Sequence, residues 1–256
     1  MKLLALHCGD LSTDVGGLLT GTPNGVIGNV PVMTFAVDTG DGVLVFDTGI
    51  HEACCGPDAT SHFGSLLQLF EIRCPREALV DERLKQAGYT ANDIRWVTNS
   101  HLHFDHAGRN NAWAGATQLV RAREFQYASA RVTRPSGFLA GDLAGITPSE
   151  WDYDDSYDIL GDGSLTLIST PGHTPAHQAL LVTFADRTRF ALTGDAAYSL
   201  AGIHTATPTG RVWNHDAAVA TLERLRSMAI DGVTMLTAHD IGQWAGVTDI
   251  AEMHSA

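Results

Sequence analysis

The chain has 256 residues, 16 Lys and Arg against 29 Asp and Glu, a formal net charge of −13 and 44% hydrophobic residues. That composition is globular and long enough to bury a core without disulfide staples, which excludes disordered and collagen-like classes. The acidic balance repels phosphate backbones and argues against nucleic acid as a partner, whereas 12 histidines point to metal.

The first ten residues, MKLLALHCGD, carry an apolar run too short for a secretory signal and read as a first strand. No stretch of 18 apolar residues predicts a membrane span. Cys8, Cys54, Cys55 and Cys74 lack CxxC spacing, so reduced thiols in a cytoplasmic protein are expected. Residues 31–50 read as a hairpin, with β-rich runs PVMTFAV and GVLVFDTG joined by the turn residues DTGDG. REALVDERLKQAG, residues 76–88, reads as a helix stopped by Gly88. IRWVTNSH is a strand running into a His-rich loop, and LTLIST and QALLVTF are strands either side of PGHTPAH. RTRFALTGD gives a further strand. NHDAAVATLERLRSMA is an amphipathic helix capped by Asn214 or Asp216, with Leu222, Leu225 and Met228 on one face. VTMLTAHD is expected to be the final strand. No repeat, low-complexity tract or linker interrupts this series, so residues 1–256 are expected to form one domain. Monomer and homodimer both stay open.

Asp47, the 101–106 segment, His173, Asp195 and His239 all fall just past the ends of apolar strands. Strands hold position there while loops expose side chains. An α/β architecture of two mixed sheets sandwiched between helix layers fits this order.

The strongest chemical signal is His101-Leu-His103-Phe-Asp105-His106. Alternation in an extended segment sends His101 and His103 to one side, and a tightening loop turns Asp105 and His106 toward a second position. Taken alone, His173 in TPGHT, Asp195 in LTGDAAY and His239 in TAHD would each read as ordinary loop residues. Together they complete two sites: His101, His103 and His173 in one, Asp105, His106 and His239 in the other. Asp195, with two carboxylate oxygens, can bridge them. Imidazole and carboxylate donors suit two divalent ions, zinc first, with Mn, Fe or Co as alternatives.

HLHFDH, then PGH, GD and a late AHD, resembles the pattern of the metallo-β-lactamase superfamily across nearly the whole chain. Within it, SHLHFDHAG, TPGHTPAHQ and GDAAY resemble the N-acyl-homoserine lactonases, the quorum-quenching branch. The resemblance implies an αββα sandwich, the seven ligands just given, and Tyr198 as the residue contacting the substrate carbonyl. It implies a dinuclear hydrolase that opens a lactone by attack of a metal-bridging hydroxide, with Asp105 carrying the proton to the leaving oxygen. The second reading is another lactone, ester or thioester hydrolase, similar to glyoxalase II, on the same metal site. A classical β-lactamase would place Cys at 195. A mononuclear-iron dioxygenase would leave the second site incomplete, and a non-catalytic zinc module would be fully ligated. No GxSxG or P-loop supports serine or ATP chemistry.

Asp47 is expected to orient a ligand histidine or cap its turn, and His177 to support the site or lie in a solvated loop. His7, His51, His62, His204, His215 and His254 read as structural or surface residues. Segments 9–30, 51–75 and 127–158 lack periodicity and read as loops around the pocket. They carry Leu18, Leu19, Ile27, Phe63, Leu66, Leu67, Leu69, Phe70, Phe138, Leu139, Trp151 and Tyr153, and residues 63–70 read equally as a short core helix.

Overall fold

A computed structural model describes residues 1–19, 21–132, 136–149, 152–208 and 211–256, so Trp151 lies outside the described residues. In chain order the strands are β1 (Lys2–Asp14), β2 (Ile27–Asp38), β3 (Val43–Phe46), β4 (Glu71–Arg73), β5 (Ile94–Thr98), β6 (Thr117–Leu119), β7 (Ser156–Asp158), β8 (Leu165–Ser169), β9 (Gln178–Thr183), β10 (Arg189–Leu192), β11 (Thr234–Leu236) and β12 (Ile250–Ser255). The α-helices are α1 (Ala59–Phe63), α2 (Val80–Gln86), α3 (Ala122–Ser129), α4 (Ala140–Leu143), α5 (Leu200–Thr205) and α6 (His215–Ile230).

One sheet runs β12-β1-β2-β3-β5-β6, with β4 added along β1; the other runs β11-β10-β9-β8-β7. Both are mixed, because β3-β5-β6 and β10-β11 pair in parallel while the remaining neighbours are antiparallel.

The side-chain period of a strand builds the layers. Leu3, Ala5, Phe35 and Phe46 turn inward to meet Leu165, Leu180, Val182 and Leu192 of the second sheet. Their neighbours Leu4, Leu6, Ala36 and Val45 face the other way and pack with Val80 and Leu84 of α2. On the far side of the second sheet, Ala191 and Met235 receive Ile203 of α5 and Leu222 and Leu225 of α6. The result is the expected αββα sandwich. Each fully buried Leu or Phe in these layers contributes about 1.5–3 kcal/mol.

Several boundaries differ from the sequence reading. Segment 9–30 is strand at both ends, because β1 reaches Asp14 and β2 begins at Ile27. A register shift between His7 and Asp10, with Gly9 at φ 103°, breaks the alternation that would have revealed it. The helix at 76–88 is interrupted at Leu79, whose ψ of 143° separates a 3₁₀ turn from α2. VTMLTAHD is not the last strand. β12 follows it and pairs with β1, but none of its residues is fully buried, so it carries no apolar run. Asn214 caps α6, accepting from the Ala217 N–H at 2.9 Å. No described helix is long and apolar enough to cross a membrane.

Candidate metal centre

The loops after β3, β5, β8, β10 and β11 converge at one edge of the sandwich and bring every expected ligand together. His101 Nε2 lies 2.8 Å from His103 Nδ1, and His173 Nε2 lies 3.2 and 3.0 Å from those two atoms. A second group gathers Asp105, His106 and His239, with the two Nε2 atoms 3.2 Å apart and Asp105 Oδ2 at 3.8 and 3.6 Å from them. Asp195 stands between the groups. Its Oδ1 is 3.2 and 3.1 Å from His106 and His239, and its Oδ2 is 3.8 and 3.4 Å from His101 and His173.

The outer ring nitrogens are already committed, which turns the others inward. His173 Nδ1 donates to the Arg211 carbonyl at 2.8 Å and His239 Nδ1 to the Pro31 carbonyl at 2.7 Å. His106 Nδ1 meets Asp47 at 2.9 Å, and His101 Nδ1 meets the Ser100 hydroxyl at 3.0 Å. Asp47 therefore both orients a histidine and ties the loop, since it also accepts from the Ser100 N–H and hydroxyl at 2.7 and 2.9 Å.

Close approach is built in by glycine. At Gly194, with φ 48°, a Cβ would lie 2.3 Å from the Ser100 Cβ; at Gly172 it would lie 2.5 Å from the α6 backbone at Ala218. These contacts seat the loops bearing Asp195 and His173 against their neighbours.

Three imidazole nitrogens within 2.8–3.2 Å of one another cannot be satisfied by sharing one proton. Asp195 Oδ1, buried and without a hydrogen-bond partner, faces the second group in the same way. The donors thus suit cations of the zinc type. Burial, reinforced by neighbouring imidazoles, pushes His101 and His103 well below the ordinary histidine range and keeps them neutral. Burial alone would depress His106 and His239 too, but Asp195 and the other carboxylates outweigh it and raise both. Asp195 is held well below the carboxylate range: burial opposes ionisation, and His106 and His239 overcome it.

Tyr198 is buried beside both groups, stacked on His239 at 5.5 Å and edge-on to His173 at 5.7 Å between ring centroids. Burial, then Asp195 and Asp105, hold its phenol well above the usual range, so it stays a proton donor. His177 is not solvated. It is fully buried, bonded to Thr170 at 2.8 Å and tilted against His101 with ring centroids 5.3 Å apart.

The clusters floor a cavity of about 310 Å³. All three expected segments reach it: Leu11, Leu18 and Val30 from the first, Leu66, Leu69 and Phe70 from the second, Tyr127 and Gly137 from the third. Other residues of those segments serve elsewhere. Phe63 is core, Tyr153 packs under Arg121, and Phe138 lies against the His103 ring at 4.3 Å. Sequence reading missed Arg211 and Trp213 on the cavity wall and Glu124 behind it, since none stands in a motif.

His51, His62 and Asp142 form another His/Asp group. Its two rings stack face to face at 3.9 Å, whereas imidazoles on one ion turn their edges toward it. His51 Nδ1 accepts from the Ala53 N–H at 3.1 Å, and His62 meets Asp142 at 2.8 Å. These contacts tie the group to the Ala53 backbone and to α4.

Two mixed sheets between helix layers, with paired His/Asp clusters at one sheet edge, define an αββα protein of metal-binding type. The chain belongs to the metallo-β-lactamase superfamily, whose family profile matches residues 27–231. It is similar over its whole length to the N-acyl homoserine lactonase AttM of Rhizobium radiobacter, at 30% identity covering 100% of this chain and 99% of that one. It is 26% identical to the N-acyl homoserine lactonase AiiA of Bacillus thuringiensis subsp. kurstaki, covering 94% of each. Among solved structures, an N-acyl homoserine lactone hydrolase with N-hexanoyl-L-homoserine at its catalytic metal centre superimposes with a TM-score of 0.82, at 23% identity over 97% and 96% of the two chains.

Proposed function

We propose that residues 1–256 work as one hydrolase domain that opens the ring of N-acyl-homoserine lactones, and so removes such compounds as signals. The observation that carries this reading is the position of Asp195 between two ligand groups at the floor of an apolar-walled cavity. In this reading His101, His103 and His173 would hold one zinc ion, Asp105, His106 and His239 would hold a second, and Asp195 would serve both. When bound, the ions supply Lewis acidity and bring the pKa of a captured water toward neutrality, about 7.

The remaining work falls to side chains. The Tyr198 O–H donates a hydrogen bond to the lactone carbonyl oxygen as negative charge builds there and keeps its proton throughout. Asp105 accepts the proton released by the attacking water and delivers it to the ring oxygen as the acyl C–O bond breaks. The product is a hydroxy acid, and no side chain forms a covalent intermediate. Leu18, Val30, Leu66 and Phe70 offer an apolar wall for the acyl chain, in a cavity of the size that small ligands occupy, upward of about 300 Å³. The lactonase names of the relatives support the substrate class. Four free thiols, Cys8, Cys54, Cys55 and Cys74, support a reducing, cytoplasmic setting.

The test is a hydrolysis panel of short- and long-chain acyl-homoserine lactones, simple γ- and δ-lactones, an aryl ester and a glutathione thioester. The highest kcat/KM is expected on an acyl-homoserine lactone. Preference for the thioester would replace this reading with a glyoxalase II-like one.

A further inference from the structure

Glu124 lies in the first turn of α3, 3% exposed, and no step above uses it. Its Oε2 accepts from the Thr174 hydroxyl at 2.8 Å, the backbone N–H groups of Leu102 and Ala176 face the carboxylate, and its Oε1 is buried without a hydrogen-bond partner. Those three donors come from two different loops. Leu102 sits between His101 and His103; Thr174 follows His173; Ala176 precedes His177, which packs against His101. One carboxylate therefore lies between the loops that supply all three nitrogens of the first ligand group, bonded to one at Thr174 and facing the other at Leu102. The second group is held by other means, through Asp47 and the Pro31 carbonyl.

Arg121, one turn earlier, does not neutralise Glu124 by a direct ion pair. Its guanidinium is committed to Asp152 at 2.8 Å and to the carbonyls of Tyr153 and Ala176 at 2.6 and 3.3 Å. Both residues thus clamp the same loop from the β6–α3 corner. Burial pushes the Glu124 carboxyl up to about 7, with its hydrogen bonds opposing the rise. A carboxyl kept in so unfavourable a place earns its position through the donors it joins.

We propose that Glu124 is a positioning residue for the His101–His103–His173 site alone, setting the affinity and geometry of the ion there. This rests on the reading that each ligand group holds an ion. A Glu124→Gln change keeps the shape but presents an amide N–H₂ to a cluster of donors, so at least one tie between the loops is lost.

The test is competition of the zinc-loaded protein, wild type and Glu124→Gln, with a chromophoric chelator at fixed pH, alongside electronic spectra of the cobalt-substituted forms. One ion should leave the variant at roughly 10- to 100-fold lower chelator concentration, as removal of a supporting hydrogen bond at a metal site does, while the other is unchanged. Only one set of cobalt bands should shift. Thr174→Val, which removes one tie from the opposite loop, should weaken the same ion and serves if Glu124→Gln does not fold. Equal weakening of both ions, or a lower Tm with both affinities and the cobalt spectrum unchanged, would overturn the proposal. A wild-type chain that never holds two ions would instead overturn the metal reading beneath it.

Discussion

The Asp47 carboxylate meets His106 Nδ1 at 2.9 Å from a backbone held at φ 62°, a left-handed conformation that side chains rarely adopt. The strained turn at the end of β3 delivers a buried charge to the back of the ring, fixing which nitrogen faces Asp195. Asn tolerates that backbone conformation better than other replacements, so Asp47→Asn isolates the charge from the strain. It should weaken the ion held by Asp105, His106 and His239 about 10- to 100-fold, read by chelator competition. Asp47→Ala should in addition lower stability by about 1–2 kcal/mol in urea unfolding. Unchanged metal affinity in Asp47→Asn would reduce Asp47 to a cap on the Ser100 turn.

Tyr198→Phe keeps the ring stacked on His239 and removes only the hydroxyl. The expected result is a fall in kcat of about 100-fold with metal content unchanged, the scale of losing one oxyanion donor. Steady-state kinetics and elemental analysis on one preparation decide it; wild-type kinetics would remove Tyr198 from the mechanism.

Leu69 and Trp213 line the cavity yet are 50% and 48% exposed, so trimming either costs the fold little. Leu69→Ala or Trp213→Ala should raise KM for long-chain acyl-homoserine lactones roughly fivefold, the equivalent of about 1 kcal/mol of lost apolar contact, with a smaller effect on short chains. A uniform change across chain lengths would place the acyl chain elsewhere.

Cys8 is wholly buried, and that burial pushes its thiol from about 9 up to about 12 despite its hydrogen bond with Thr34. The unfolded chain ionises this thiol near pH 9 and the folded chain near pH 12. The stability it contributes is therefore complete below pH 9 and is lost as pH rises to 12, by about 4 kcal/mol in all. Urea midpoints from pH 8 to 11 should fall less steeply in Cys8→Ala than in wild type. Parallel slopes would contradict the assignment.

The clustering of the seven candidate ligands was legible because each sits beside a motif at a strand end, where spacing is local. The sandwich was legible from apolar runs such as VLVF, buried on both faces, and ALLV, buried but for Leu181. β12 was not, because IAEMHS is an edge strand that mixes polar and apolar residues on each face. Nor were Glu124 and Asp142: a buried carboxylate reads from sequence like any helix-surface acid until its partner arrives from a segment distant in the chain. Segment 51–75 mixed two roles, with Phe63 in the core and Leu69 on the cavity, so no single period describes it.

In the proposed centre, hydrolysis requires both ions that Asp195 would join. The most direct test is metal content per chain, measured by elemental analysis on the sample used for lactone turnover, before and after chelation and after zinc is restored. Two ions per chain, with turnover lost on chelation and recovered with zinc, is the predicted result. Turnover that persists in metal-free protein, or one iron per chain with no hydrolysis, would contradict it.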